Sequence, residues 1–293
     1  MRLPAHEISG LRASSITRLP AIRQAYPDAF RRLNAGRLAM GALCLCGLAL
    51  FLFGIARLEI APRRLLTGSG QLLHFLTLMW PPLPPSGAQA IGILKALGET
   101  LAIAFLGTLG AAIIAFPLGL LAARNTTMNQ ALRFLTRRGL DGIRAIDALI
   151  WALIWVSVVG LGPFAGVLAI LTSDIGTFGK LFSEAIEAAD RKAQEGIIAA
   201  GGDDVSRVGF GVLPQVLPVL AGQVLYLFES NVRSSSIIGI VGAGGIGLHL
   251  AEMIRTLEWP SVAFIVVLML LVVTAIDALS TRLRAAIAGN ATA

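Results

Sequence analysis

Charged residues are scarce in this 293-residue chain, in which Asp, Glu, Lys and Arg together account for only 14%. Hydrophobic residues account for 56%, and they are gathered into long runs. An average soluble domain carries roughly 25% charged residues. The shortage of charge therefore excludes an ordinary soluble protein and indicates a helical membrane protein with several spans.

Residues that form disulfides and metal sites are also few, since the chain has two cysteines and three histidines. Cys44 and Cys46 stand two apart in an apolar run, so on a helix they point to different sides. We expect the two cysteines to act as small buried hydrophobic side chains rather than to form a disulfide or bind a metal. His74 stands alone, and we expect it at a membrane interface. The sequence predicts no metal site, no cofactor and no catalytic residue in this chain.

The phosphate-binding pattern GxxxxGK[ST] is absent from the sequence. A GxGxxG pattern does follow an apolar, strand-like stretch at 237–241. After it, residues 248–293 consist mostly of one further membrane span, so a doubly wound sheet could not be completed. We instead predict a break between helices, where backbones bend or approach closely. The glycines of this break are Gly242, Gly244, Gly245 and Gly247.

The net charge of +7 comes from basic residues that flank apolar runs rather than forming one patch. Binding to nucleic acid is therefore not expected. Residues 1–37 hold seven arginines against Glu7 and Asp28. This composition predicts a cytoplasmic tail that lies on anionic membrane lipid.

Six membrane-spanning helices are predicted from the apolar runs and the placement of basic residues. The long run at 148–173 is interpreted as a hairpin that turns at 160–163, because the segments before and after it are both basic. Such segments share one side of the membrane, so the chain must cross an even number of times between them. The predicted spans are 38–56, 101–123, 143–160, 163–180, 214–236 and 259–279, with both termini cytoplasmic.

Two features are expected around the second span. An external loop at 57–98 contains an apolar stretch at 72–80 that ends in prolines, which predicts an interfacial helix. Within the span, Pro117 is predicted to kink the helix. Small residues there offer a face for close helix packing, namely Gly107, Gly110 and Ala111.

A polar island at 180–214 separates two apolar runs and is expected to face a soluble partner. Alanine and glutamate favour helix over 183–200. Gly201-Gly202 then ends the helix, because glycine reaches positive φ without a steric penalty. Asp203 or Asp204 caps the helix that follows. The alternative is an ordinary loop between two membrane helices.

The island resembles the EAA loop of permease subunits in ABC importers. The residues that match its spacing are Glu195, Gly201, Leu213 and Pro214. Gly196 and Ile197 replace the two usual alanines, and Gly211 stands where isoleucine is usual. The resemblance implies a short coupling helix, ended at Gly201-Gly202, that docks into a groove of an ATPase subunit. ATP and Mg would then be bound by that partner and not by this chain.

Residues 228–247 resemble the phosphonate-uptake branch of these permeases, as do shorter stretches at 159–168, 179–187 and 211–218. The similarity covers about residues 90–280, and shared glycines leave the methionine branch as an alternative. It implies an all-α polytopic protein with the type I ABC importer permease fold, in a bacterial inner membrane. It also implies a second permease copy, ATPase subunits and a periplasmic binding protein that delivers phosphonate or a related phosphorus oxyanion.

The same resemblance suggests how the chain is divided. The permease domain is expected at 96–280, and its coupling loop at about 183–214. The flanking segments are the tail at 1–37, the first span with its periplasmic loop at 38–95, and a short cytoplasmic tail at 281–293.

Glu229 and Arg233 stand four apart in the fifth predicted span, so they share a helix face and can pair. One interpretation is mutual neutralisation. The other places Arg233 on the translocation pathway of an oxyanion, beside the hydroxyl groups of Ser234, Ser235 and Ser236. A different class, an ion-coupled secondary transporter, would use the carboxylates of Asp147, Asp174, Glu229 and Asp277. The island separates the two classes, because a secondary carrier docks no ATPase.

Overall fold

The computed structural model describes residues 35–58, 62–84, 86–127 and 129–290. Secondary structure in these residues is entirely helical. The predicted lipid-binding tail lies almost wholly outside the described residues, as do residues 291–293. The helices are α1 (Ala35–Arg57), α2 (Pro62–Leu78), α3 (Gly87–Ala122), α4 (Gln130–Arg144), α5 (Ala148–Val159), α6 (Pro163–Glu187), α7 (Arg191–Ala199), a turn at Asp204–Ser206 with a π-helical segment at Arg207–Val212, α8 (Leu213–Ile240), α9 (Ile246–Arg255) and α10 (Trp259–Asn290).

The chain divides into two compact units, one ending at Leu73 and the other beginning at His74. In the first unit, α1 covers the predicted first span and extends it by a few residues at the amino end. Cys44 and Cys46 are free thiols, as expected, but both are exposed rather than buried. α1 is apolar on every side, so in a membrane its cysteines need no protein cover to avoid water.

Membrane spans are recognised by length and apolar composition, and five described helices meet both conditions. A sixth span is possible if α4 and α5 count as one, although they are bent by 86° relative to each other. The helix predicted at 143–160 begins at Ala148 in the structure. The Asp147 carboxylate stops it from starting earlier, because it caps α5 by accepting the Leu149 N–H at 2.8 Å.

The predicted hairpin turn is confirmed. α5 ends at Gly160, which has a φ of +93°, and Gly162 has a φ of +137°. Residues that carry a Cβ rarely adopt these φ values, whereas glycine does so freely. Pro163 then begins α6, a position that proline favours because its missing N–H has no partner there in any case.

Close packing of α3 against α6 forms the centre of the second unit. A Cβ added to Gly107 would lie 2.7 Å from the Ile170 side chain, and one on Gly119 would lie 2.8 Å from Phe182. Ala111 is fully buried. The predicted small-residue face is therefore confirmed, and Pro117 lies within α3 without ending it.

Several further predicted boundaries are wrong. α3 begins at Gly87 rather than 101, because Ser86 caps it by accepting the Gln89 N–H. The interfacial helix, α2, occupies Pro62–Leu78 rather than 72–80. α10 continues to Asn290, well beyond the predicted end of the span at 279. In each case the helix continues into polar residues that a hydropathy criterion assigns to loops.

The glycine-rich segment does break the helix as predicted. α8 ends at Ile240 and α9 begins at Ile246, and the three glycines between them at positive φ are Gly242, Gly244 and Gly245. Residues 237–240 are the last turn of α8 rather than a strand. A dinucleotide-binding turn needs that strand, so this geometry agrees with the interpretation of the glycines as a helix break.

Candidate functional site

The polar island forms a short helix, α7, held between two turns. The predicted helix over 183–200 is interrupted at 188–190, because the Asp190 side chain accepts the Lys192 N–H at 3.0 Å and starts a new helix. The Asp190 N–H in turn donates to Gln215 Oε1 at 2.9 Å. The first turn of α8 therefore fixes where α7 begins.

The end of α7 depends on both predicted glycines. Gly201 has a φ of +86°, and its N–H donates to Ile198 O at 2.9 Å. The Gly202 N–H donates to Ile197 O at 2.9 Å, and a Cβ on Gly202 would lie 2.6 Å from the Ile197 side chain. Glycine is therefore needed at position 201 because of its positive φ. At position 202 it is needed because a side chain would clash with Ile197.

Asp203, rather than Asp204, caps the following turn by accepting the Ser206 N–H at 2.9 Å. Hydrogen bonding from Ser206, by its side chain first and its backbone N–H second, holds the pKa of the exposed Asp203 carboxyl below its usual value. Asp204 instead pairs with Arg207 at 3.1 Å. Asp203 therefore binds the backbone of the following turn, whereas Asp204 binds the Arg207 side chain.

α7 has one buried face and one exposed face. Gln194 is buried. A Cβ added to Gly211 would lie 3.2 Å from the Cα atom of Gln194. Gly211, where the resemblance led us to expect isoleucine, therefore lets the π-helical segment approach α7 closely. On the other side Glu195 is exposed, as is the side chain of Ile198. This face combines a charge with apolar surface and is free to contact another protein.

Arg207 joins this loop to the end of α3, a role that the sequence did not reveal. Its guanidinium donates to Asn125 O at 2.8 Å and to Gln194 Oε1 at 3.3 Å. The Asn125 side chain donates to Ile186 O at 2.6 Å. These hydrogen bonds link α7 to the segment that follows α3 and to the end of α6.

Glu187, the last residue of α6, holds the same region together. It accepts a hydrogen bond from the Arg137 guanidinium at 2.6 Å and one from the Arg124 N–H at 2.8 Å. Arg137 also donates to Ala122 O at 2.9 Å. These contacts fasten α4 to the ends of α3 and α6 beside the coupling loop.

Leu213 and Pro214 are placed at the start of α8. Leu213 packs against an apolar cluster that includes Phe182 and Val212, and Pro214 occupies the first turn. Proline suits this position because the first N–H groups of a helix have no partner within it. The two residues therefore anchor the loop to the membrane part of the chain.

The predicted pair of Glu229 and Arg233 is present on α8, with Arg233 Nη2 3.2 Å from Glu229 Oε1. The Arg233 side chain is 61% exposed, whereas that of Glu229 is 13% exposed. Ser235 and Ser236 are buried and donate to the carbonyls of Asn231 and Arg233. Both hydroxyl groups therefore form hydrogen bonds within α8. Ser234 is half-buried.

A buried polar cluster joins three membrane helices. Asn231 Nδ2 donates to Asp174 Oδ2 at 2.5 Å and to Thr108 Oγ1 at 2.8 Å. All three residues are buried. The hydrogen bond from Asn231 gives a partner to the Asp174 side chain, which would be costly to bury alone. The carboxylates considered for ion coupling are thus not gathered together, since Asp147 caps α5 and Asp277 is exposed on α10.

The glycine turn before α9 is held by α3. The Gly245 N–H donates to Glu99 Oε2 at 3.0 Å, and the Ile246 N–H donates to Thr100 Oγ1 at 2.7 Å. Gly247 packs directly on Ser236 O, where a side chain would not fit. The absence of a side chain at Gly247 lets α9 contact α8 closely. The Glu99 carboxylate and the Thr100 hydroxyl accept hydrogen bonds from N–H groups at the start of α9, which have no partner within the helix.

A bundle of long apolar helices joined by a polar loop is typical of a membrane protein with several spans. The comparison with known families agrees. The chain belongs to the family of binding-protein-dependent transport system inner membrane components, whose model matches residues 115–289. It is therefore a multi-span membrane protein of an inner-membrane transport family.

Several curated proteins are similar to this chain. A candidate phosphite transport system permease, HtxC of Stutzerimonas stutzeri, is 41% identical over 77% of this chain and 79% of the relative. The phosphate-import permease PhnE of Mycolicibacterium smegmatis is 38% identical over 78% of this chain but only 42% of that longer relative. The phosphite transport system permease PtxC of Stutzerimonas stutzeri is 36% identical over 71% of this chain and 76% of the relative.

Solved structures show the same fold. A chain from inward-facing conformations of the MetNI methionine ABC transporter superposes with a TM-score of 0.61. The identity is 21%, and the match covers 69% of this chain and 99% of the other. The predicted type I ABC permease fold is therefore confirmed.

Proposed function

We propose that this chain is the membrane-spanning subunit of an ATP-driven importer and forms the translocation pathway for a phosphorus oxyanion. The observation that carries the proposal is the 41% identity to HtxC across most of both chains. PtxC and PhnE support the same substrate class, since both are named for phosphorus oxyanions. Their names span phosphite and phosphate, so the class is proposed rather than one anion.

ATP hydrolysis is assigned to a partner ATPase, which would bind ATP and Mg, and this chain contributes no catalytic residue. The exposed face of α7, with Glu195 and Ile198, would enter a groove of that ATPase as a helix-in-groove contact. Gly201 and Gly202 set the angle at which α7 is presented. Closure of the ATPases would move α7 and switch the pathway between its two openings.

The other partners follow from the same assignment. A periplasmic binding protein would deliver the anion, and a second copy of the permease would complete the pathway. The predicted orientation, with both termini cytoplasmic, places the coupling loop on the side of the ATPase. A reporter fused after Asp204 should therefore be cytoplasmic, and one near Gly87 periplasmic.

Arg233 would line the pathway. A charged side chain facing lipid near a helix centre costs roughly 2.5–3.5 kcal/mol or more, so such groups face protein or aqueous cavities. Arg233 is 61% exposed in the single chain. A second copy or a water-filled pathway must therefore cover it. A guanidinium in a pathway attracts oxyanions, and its pairing with Glu229 keeps that attraction weak enough for release.

Two other functions are less well supported than import of a phosphorus oxyanion. A permease of the methionine branch shares the fold, but a 21% identical structure supports the fold alone. An ion-coupled secondary transporter is not favoured, because the chain belongs to a binding-protein-dependent family. Its candidate carboxylates are also apart, with Asp147 capping a helix and Asp174 bound to Asn231.

Uptake by proteoliposomes tests the proposal. The permease would be reconstituted with its ATPase and binding protein, and accumulation of phosphite, methylphosphonate, phosphate and methionine would be measured. We expect accumulation of at least one phosphorus oxyanion that requires both ATP and the binding protein. Uptake of methionine alone, or uptake driven by an ion gradient without ATP, would contradict the proposal.

A further inference from the structure

Arg284 lies beside the pair of Glu229 and Arg233, although the sequence assigned it to a tail beyond the membrane. α10 continues as a helix past this residue to Asn290. Arg284 Nη2 is 3.8 Å from Glu229 Oε2, while Arg233 occupies the other oxygen, Oε1, at 3.2 Å. One carboxylate is therefore shared by two arginines from two different helices.

The charge of this cluster is unbalanced. Two guanidinium groups carry +2 and one carboxylate carries −1, which leaves a net charge of +1. Asp277 is the nearest acidic residue along α10, and it is seven residues from Arg284. That spacing is about 10 Å by helical rise, too far for an ion pair. The cluster therefore retains a positive charge that an anion can neutralise.

The donors of the two arginines are only partly used. Arg284 donates to Thr281 Oγ1 at 3.3 Å and pairs with Glu229, and its side chain is 31% exposed. Arg233 has one described partner, Glu229, and is 61% exposed. A guanidinium has five N–H donors, so each arginine keeps donors for a further acceptor. Glu229, at 13% exposed, lies beneath them.

Arg233 lies on an exposed stripe of α8 that is otherwise formed by large hydrophobic or aromatic residues. Tyr226, Arg233, Ile237 and Ile240 are exposed at helical spacing on one side of α8. A guanidinium on this stripe requires water, protein or an anion opposite it, because lipid would leave its donors unsatisfied. The half-buried Arg284 reaches the same place from α10.

We propose that Arg233 and Arg284 together form an oxyanion-binding site within the membrane part of the chain, in which the anion exchanges with Glu229. A tetrahedral phosphorus oxyanion presents several oxygens to two planar guanidinium groups, an arrangement that favours bidentate hydrogen bonds. Glu229 competes for the same donors and so keeps the site weak. Weak binding is what a pathway needs, because the anion must leave again.

This inference rests on the proposed function, since it names the residues that would hold the carried anion. It adds Arg284 to the pathway and gives Glu229 the role of a competitor for the anion. A purely structural latch between α8 and α10 would also use these three residues. The two accounts differ in what the loss of Glu229 does to anion binding.

Direct binding distinguishes them. Phosphite, methylphosphonate and inorganic phosphate would be titrated onto the permease–ATPase complex without binding protein, with the nucleotide sites filled by ADP. Line broadening of the ³¹P signal reports weak binding. Loss of one of two charge-assisted contacts should weaken binding about tenfold in Arg284→Gln and in Arg233→Gln. Arg284→Lys keeps the charge and should bind with intermediate affinity.

The carboxylate variant should act in the opposite direction. Glu229→Gln should bind the anion more tightly, and its maximal uptake should fall, because the competitor that promotes release is gone. Arg282→Gln is the matched control, since Arg282 is an exposed arginine on the same helix. Its binding should equal that of the wild type. Co-elution with the ATPase confirms that each variant is folded and assembled.

Several results would overturn the inference. These are unchanged binding in Arg284→Gln, weaker binding in Glu229→Gln, an equal effect of Arg282→Gln, and the absence of direct binding of all three anions to the wild type. If the wild type takes up the anion in proteoliposomes but shows any of these results, the site is wrong and the proposed function stands. If the wild type takes up no phosphorus oxyanion at all, the proposed function itself fails.

Discussion

The coupling loop and the middle of α8 each contain an arginine, and the two side chains differ in their surroundings. Arg207 in the loop is 15% exposed and contacts Asp204, Asn125 and Gln194. Arg233 in α8 is 61% exposed and has one described partner. An arginine whose donors are used up holds elements together, whereas one with spare donors can bind a ligand.

The opposite side of α8 extends this comparison. Asn231 is two residues from Arg233, yet it is buried and bonded to both Asp174 and Thr108. Two successive polar positions on one helix thus differ in role because they face different neighbours. Substitutions on the buried side should act on stability, and those on the exposed side should act on transport.

The largest effect is expected from Asn231→Leu. It leaves the buried Asp174 side chain without its hydrogen-bond partner, and an unsatisfied buried polar group costs about 1–3 kcal/mol. We expect a clear drop in the thermal stability of the purified protein. Ser234→Ala, a half-buried residue one turn away, is the control and should change little. An unchanged melting temperature in Asn231→Leu would show that the cluster does not stabilise the bundle.

The next largest effect is expected from Gly201→Val, which tests the coupling loop. Its φ of +86° disfavours a residue with a Cβ, and the strain is about 1–2 kcal/mol. We expect ATP-driven uptake to fall about tenfold while membrane insertion is retained.

Gly196→Ala provides the control in the same helix. Gly196 has open space around its Cα, and alanine favours helix there. Its uptake should equal or exceed that of the wild type. Normal uptake in Gly201→Val would show that the turn does not position α7.

A smaller effect is expected from Arg207→Gln, which removes the joint between α7 and the end of α3. Uptake should fall about fivefold, because substitutions along a coupled network change coupling by roughly 0.5–2 kcal/mol. ATP hydrolysis should continue, so more ATP is consumed for each anion carried. Exposed Arg191 gives the control, Arg191→Gln. If both variants lose the same amount of uptake, Arg207 acts through charge alone and not as a joint.

The smallest effect is expected from Asp203→Asn as the pH is lowered. Hydrogen bonds from the side chain and then the backbone N–H of Ser206 lower the pKa of Asp203, so the cap is intact above the usual aspartate pKa. The cap is lost as the pH falls through the lower, folded value. Asparagine caps a helix at any pH. The protection of the Ser206 and Arg207 amides from hydrogen exchange, measured relative to the intrinsic rate at each pH, should therefore fall in acid for the wild type and not for Asp203→Asn.

The sequence was sufficient for features that depend on local chemistry. The hairpin turn, the end of α7 and the break before α9 each rest on glycines at positive φ, and glycine patterns are visible in a sequence. The pairing of Glu229 with Arg233 followed from a spacing of four on one helix. The small residues of α3 similarly predicted its close contact with α6.

Other features could not be predicted, because they join residues that are distant in the sequence. Glu99 and Gly245 are 146 positions apart, and Arg207 and Asn125 are 82 apart. The contact between Arg284 and Glu229 was not predicted, because hydropathy ended the last span at 279, whereas α10 continues through polar residues. The burial of Ser235 and Ser236, and their hydrogen bonds to carbonyl groups of α8, were likewise not visible in the sequence.

Cross-linking between α7 and the ATPase tests most directly whether this chain couples to ATP hydrolysis. A cysteine at the exposed Glu195, introduced as Glu195→Cys after Cys44 and Cys46 are changed to serine, would be treated with a cysteine-to-lysine cross-linker in the assembled complex. Leu83→Cys, exposed in the loop before α3, is the control. We predict a covalent permease–ATPase product from position 195 and none from position 83. A product from position 83, or none from position 195 in a complex that co-purifies, would contradict the account.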